Sequence, residues 1–149
     1  MKWTNADADL YQKAKEYVDT AVIPLVPAAG GKKLEESIMM GEFVEHLTDY
    51  LERQYKGRVF LLPSFTYLRG ETGAADRLRE WTYHFEEEGF QHFLFVTADM
   101  AWRQERMEDA GELVWLPAFD VSGLDGAQRR QAVEQQAQQI IPLMTGKWS

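Results

Sequence analysis

The chain contains no cysteine. That absence excludes disulfides, thiolate metal sites, haem attached through thioethers, cysteine nucleophiles and cysteine lipidation together. Histidine is scarce as well, with three residues, so a metal site would have to be assembled from those imidazoles and from carboxylates. Positive charge is in deficit: 16 lysines and arginines stand against 24 aspartates and glutamates, a net charge of −8. Such a molecule repels nucleic-acid phosphates and anionic membranes unless its cations cluster. Along the sequence basic residues gather in nothing longer than a pair such as Lys32 and Lys33, so nucleic acid is not an expected partner. No apolar run approaches the ~20 residues that span a bilayer. The stretch Met1 to Asp9 carries acids where a signal peptide carries basic and then apolar residues. These lacks predict a cytoplasmic chain without direct membrane insertion.

What is present is an alternation of strand and helix signals. A chain of 149 residues is expected to form one domain over its whole length, and at this size folding hides roughly 70% of the unfolded surface. Thr4 or Asn5 can cap a first helix whose Leu10, Ala14 and Tyr17 share a face, making it a lid on one face of the sheet or on its edge. Ala21 to Val26 is rich in β-branched residues and reads as the first strand. Pro24 inside it cannot donate to a ladder, so either the strand ends early or the missing donor faces a bulge or an unpaired stretch. A loop from Pro27 leads to a long helix, from Leu34 to about Tyr55, with Leu34, Ile38, Gly41, Val44, Leu47 and Leu51 in one stripe. Gly41 on that stripe marks close approach of helix and sheet.

Gly57 to Gly70 begins with the apolar run Val59 to Leu62, which suits a strand buried on both faces, and continues into polar and aromatic residues beyond its carboxyl end. Thr72 is a candidate cap for a third helix carrying Ala75, Leu78, Trp81 and Phe85, stopped at Gly89. Phe90 to Ala98 reads as the third strand, Asp99 as the cap of a short helix to Met107, and Glu112 to Ala118 as the fourth strand. A last helix bears Val133, Ala137, Ile140, Ile141 and Met144, with Pro142 kinking or ending it. The expected architecture is a three-layer α/β/α sandwich on a four-stranded, mainly parallel sheet, Rossmann-like or flavodoxin-like. Right-handed crossovers give the order 2-1-3-4, which puts the Val59 strand at an edge and a crevice between Ala28–Lys33 and Thr97–Trp102.

Several residue sets are candidates for chemistry. Gly30, Gly31 and Lys32 precede a helix start and can cradle a phosphate, but Val26 and Lys33 stand where a P-loop needs glycine and a hydroxyl, and a plain loop explains them. Ser64, Thr66, Tyr67 and Arg69 follow the second strand, Thr97 and Asp99 the third, and Asp120 the fourth. Those ends converge in an α/β sheet and can surround a small polar or nucleotide-like ligand, or simply satisfy loop amides. Ser64 lacks the Gly-x-Ser-x-Gly elbow of a hydrolase. Glu42, Glu45, His46 and Asp49 on the long helix, and His84 and His92 near the third strand, lack metal-ligand spacing. No metal or cofactor is expected. Trp102 with Arg103 and Arg106 has the composition of an interface anchor, for a protein partner or a second copy of the chain. Trp81 and Trp115 sit on core patterns, and Trp3 and Trp148 can pin the two ends.

The passages Glu16 to Leu25, Phe60 to Tyr67 and Phe93 to Asp99 resemble the YpiF-like family of short, uncharacterised Gram-positive proteins. The resemblance implies a cytosolic α/β protein with an accessory or assembly role near a respiratory menaquinol–cytochrome c reductase, and it brings no catalytic residues. Two functions are thus open: a non-enzymatic interaction protein, using the Trp102 surface or an exposed sheet edge, and a ligand-binding protein, with or without catalysis, acting at the strand ends.

Overall fold

A computed structural model describes residues 1–149. Its elements in chain order are α1 (Asn5–Lys13), β1 (Thr20–Ala28), α2 (Leu34–Gln54), β2 (Val59–Leu61), β3 (Phe65–Leu68), α3 (Ala74–Glu87), β4 (His92–Thr97), β5 (Glu112–Trp115), α4 (Gly126–Ala137) and α5 (Ile141–Lys147). All strand pairs are parallel, in the order β2-β1-β4-β5, with β3 also lying against β1. The expected order therefore holds, with one position of the four occupied by two segments. Residues after Leu62 do not leave the sheet as a loop, because Phe65–Leu68 pairs with Leu25–Ala28.

Pro24 explains why that lane is divided. Leu62 N–H donates to Val22 O at 3.0 Å, and in a parallel ladder the next donor back to Leu62 would be the amide of residue 24. Proline has none, so the ladder stops. Pairing advances from Val22↔Leu61 to Leu25↔Phe65, three residues on β1 against four on the edge lane. The extra residue is a bulge that inverts side-chain parity. As a result Phe60, Leu62, Phe65 and Tyr67 all enter the same core. Pro27 lies beyond the β4 pairing, which ends at Pro24↔Val96, so β1 runs past the boundary its composition suggested.

Two cores of 17 buried residues each flank the sheet, which makes the three layers. One lies under α1 and α3 and the other under α2, α4 and α5. A Cβ on Gly41 would meet Val26 Cγ1 at 3.0 Å, so the glycine does bring α2 close to β1. Gly111 is tighter: a Cβ there would lie 2.6 Å from Phe93 O, so the chain entering β5 needs glycine rather than a helix stop.

Several local expectations change. Leu34 and Ile38 are exposed, and the buried face of α2 instead starts at Ser37 and Met40, one step round the helix. Leu10 and Tyr17 are exposed, and Tyr11 does the packing for α1, stacked on Phe90 with centroids 5.9 Å apart. Gly73, at φ 89°, rather than Thr72 precedes α3. The helix expected after Asp99 is only a 3-10 turn, Met100–Gln104. The last helix is two, with Pro142 in the first turn of α5, where its missing amide costs nothing. No helix is long and apolar enough to cross a membrane.

Candidate functional site

The sheet's order reverses between β1 and β4, so their carboxyl ends open the crevice where such sheets bind ligands. Asp99 occupies it. Its amide donates to Thr97 Oγ1 at 3.0 Å, and its Oδ1 accepts from Ala101 N–H at 3.0 Å, capping the 3-10 turn. Its Oδ2 accepts from the Tyr67 hydroxyl at 2.8 Å and lies 3.6 Å from Arg69 Nε. Arg69, carried past the end of β3, also donates to Ser37 Oγ at 3.2 Å and approaches Glu36 at 3.7 Å. Burial, then the bond to Asp99, pushes the Tyr67 phenol far above its ordinary range, so this hydroxyl stays a donor.

The fold thus joins Tyr67, Arg69, Thr97 and Asp99 from the sequence candidates and adds Ser37 and Glu36. Thr97 is fully buried, and the space left beside Tyr67 and Asp99 is about 180 Å³. Ser64 and Thr66 are not part of this set: Ser64 Oγ donates to Glu45 at 3.4 Å and Thr66 donates to Ser64 O. The bulge explains this, because it turns Phe65 and Tyr67 inward and Thr66 outward. Gly30, Gly31 and Lys32 form an exposed turn. A Cβ added to either glycine would meet no atom within 4 Å, so nothing presses on the loop.

Trp102 is 3% exposed. It packs edge-on against Tyr67 at 5.3 Å and Phe65 at 6.3 Å, so it supports the crevice from below and presents no outer surface. This corrects the expectation of an exposed tryptophan: the 3-10 turn is too short to hold the ring away from the sheet. Arg103 lies over the Trp115 ring at 5.2 Å beside the β5 edge, and the Arg106 carbonyl accepts from Arg79. Asp120 caps the turn at Val121–Gly123. On α2, Asp49 pairs with Lys2 and Arg53, each at 3.2 Å. His84 packs edge-on against Phe85.

An aromatic surface lies elsewhere. Trp3, Tyr11, Phe60, Phe85 and Phe90 line a cleft of about 400 Å³ between α1 and α3. A second cleft of about 350 Å³, with Pro63, Trp81 and His84, shares Trp3 and Phe85 with it. Trp3 is 57% exposed although its ring contacts Phe60 at 5.5 Å and Phe85 at 6.4 Å. It does more than pin the terminus. Trp148 does pin its end, donating to Thr20 Oγ1 at 2.7 Å.

Comparison with known proteins agrees with the sequence resemblance. The family described as "Protein of unknown function (DUF2487)" matches residues 9–148. The "Uncharacterized protein YpiF" of Bacillus subtilis (strain 168) is 32% identical over 149 residues, covering 100% of this chain and 99% of that protein. No solved structure matches the chain.

Proposed function

Since the chain belongs to the DUF2487 family, whose description assigns no activity, we propose from its surfaces that it is a non-enzymatic interaction protein that engages a protein partner through the aromatic groove between α1 and α3. The observation that carries this reading is Trp3, held by Phe60 and Phe85 yet more than half exposed where two clefts meet. Exposed aromatic rings on a rigid base are the anchors of protein interfaces. An accessory or assembly role beside a menaquinol–cytochrome c reductase, implied by the family resemblance, belongs to this proposal, as does a cytoplasmic setting. Such a role needs contact surfaces and no reactive centre. A photo-crosslinking residue at position 3 is expected to capture one discrete partner in cells, and Phe85→Ala is expected to abolish that capture. The same residue at exposed Gln135 on α4 should capture none. Equal capture from both positions would end the proposal.

A second reading places a small polar ligand at the strand ends, with Gly30, Gly31 and Lys32 on one lip and Arg69, Thr97 and Asp99 on the other. What favours it is Arg69, whose guanidinium has five N–H groups and donates one hydrogen bond, to Ser37. Arg69→Lys would then weaken ligand-induced thermal stabilisation, and a screen of sugars and carboxylates that finds no stabilisation of the unaltered protein removes this reading.

A further inference from the structure

Along the sequence the arginines of this acidic chain look dispersed, and the fold gathers three of them. His46, Tyr50 and Arg53 follow one another at helical spacing on α2. Gly126, Arg129, Arg130 and Val133 do the same on α4, and the two rows face each other across a cleft of about 400 Å³. Four other arginines are neutralised within the chain, Arg58 by Asp19, Arg69 by Asp99, Arg77 by Glu71 and Arg79 by Asp76, and Arg103 lies over the Trp115 ring. In the cleft, Arg53 shares Asp49 with Lys2, and no carboxylate pairs with Arg129 or Arg130. The nearby Asp125 carboxylate already accepts from Gln128 N–H in the capping box of α4. Glu134 on α4 lies close to Tyr50, whose hydroxyl is held above its ordinary range by burial first and then by that carboxylate.

Arg129 and Arg130 stand side by side with no carboxylate paired to either, so this arrangement favours a negatively charged guest over an empty cleft. Planar forked donors match phosphate oxygens two at a time. Gly126, in the first turn of α4, has no atom within 4 Å of where a Cβ would stand, so the cleft is open on that side. The volume exceeds what a single inorganic phosphate fills and falls within the range of small-molecule sites. We propose that the cleft between α2 and α4 binds a small molecule bearing more than one phosphate group. Arg129 and Arg130 grip the phosphates, Arg53 closes the far side, and Tyr50 and His46 supply hydrogen-bonding groups on the α2 wall. This site is independent of the aromatic groove.

The test is titration of the full chain with inorganic pyrophosphate and with ATP, followed by amide chemical shifts and by calorimetry. Saturable binding is expected at sub-millimolar concentration, with the largest shifts at Gly126, Arg129 and Arg53. Arg129→Ala and Arg130→Ala should each lower affinity about tenfold without changing thermal unfolding. The pair Lys32→Ala and Lys33→Ala should leave affinity unchanged. ATP binding more tightly than pyrophosphate would identify a nucleotide, and equal affinities would assign recognition to the phosphates alone. The proposal is overturned if neither probe binds at millimolar concentration, or if the lysine pair and not the arginines controls binding.

Discussion

At the carboxyl end of the sheet Arg69 meets two carboxylates of its own chain, Asp99 at 3.6 Å and Glu36 at 3.7 Å. In the α2–α4 cleft Arg129 and Arg130 meet none, and Arg53 holds a carboxylate that Lys2 also uses. The first region is where a doubly wound sheet is expected to bind ligands, and there the protein has supplied the anion itself. The second has no motif, and there two adjacent cations are left without an internal partner. Fold topology nominates a place, whereas unspent charge marks where a ligand has something to gain.

Asp99 is where this contrast is most exposed to test. It is 4% exposed and serves Tyr67, Arg69 and a helical cap at once. Asp99→Ala leaves Arg69 facing an unfilled buried site, and breaking a buried charge pair costs about 3–5 kcal/mol. Urea unfolding should show a loss of that order. A loss under about 1 kcal/mol would mean that Asp99 is held for a ligand rather than for the fold. Tyr67→Phe removes only the hydroxyl bond to Asp99, so a smaller loss of about 1–2 kcal/mol is expected by the same measurement.

Legibility from sequence follows the range of the forces involved. The strands, their parallel pairing and their order are readable because they depend on local apolar runs and crossover lengths. Pro24 points to a bulge, but which of its two alternatives holds depends on the residue across the ladder, Leu62, far along the chain. Arg69, Thr97 and Asp99 are nominated by their places after strands, and the fold brings them together. Trp102 reads as an interface anchor or as half-buried under its own short helix, whereas the chain makes only a 3-10 turn that drops the ring inward. Arg129 and Arg130 are adjacent in the sequence, but their meeting with Arg53 has no linear signature, since it joins faces of two helices far apart in the chain.

A third arginine site extends the contrast to pH. At the amino end of the sheet Asp19 receives two bonds from Arg58, both at 3.1 Å, and one from Thr20 at 2.9 Å. Burial alone would raise its pKa, but those bonds, aided by the charge of Arg58 and His92, hold it below the ordinary 3.8. A carboxyl depressed in the folded state stabilises fully above its unfolded value, and that contribution disappears as pH falls through the folded value. Asp19→Asn should therefore be less stable than the unaltered protein at neutral pH, and the gap should close below pH 3.8. Arg58 is partly exposed, so solvent screening keeps the effect below that of Asp99. A gap that persists unchanged in acid would assign the loss to packing instead.

The smallest effect is expected in the α2–α4 cleft, and its smallness is the point. Replacing Arg129 and Arg130 together by alanine removes the facing like charges, a gain of about a few tenths of a kcal/mol. It also removes whatever apolar surface the arginine stems cover, a loss of similar size. Alanine is in addition a slightly better helix former than arginine. The net change in urea unfolding should lie within about 0.5 kcal/mol of zero, as for surface positions without structural partners. A change that small would show that neither arginine holds α4 on α2 and leave both free for a ligand. A loss above about 1.5 kcal/mol would instead place both residues among the groups that hold α4 on α2, and the cleft would then be as self-satisfied as the crevice around Asp99.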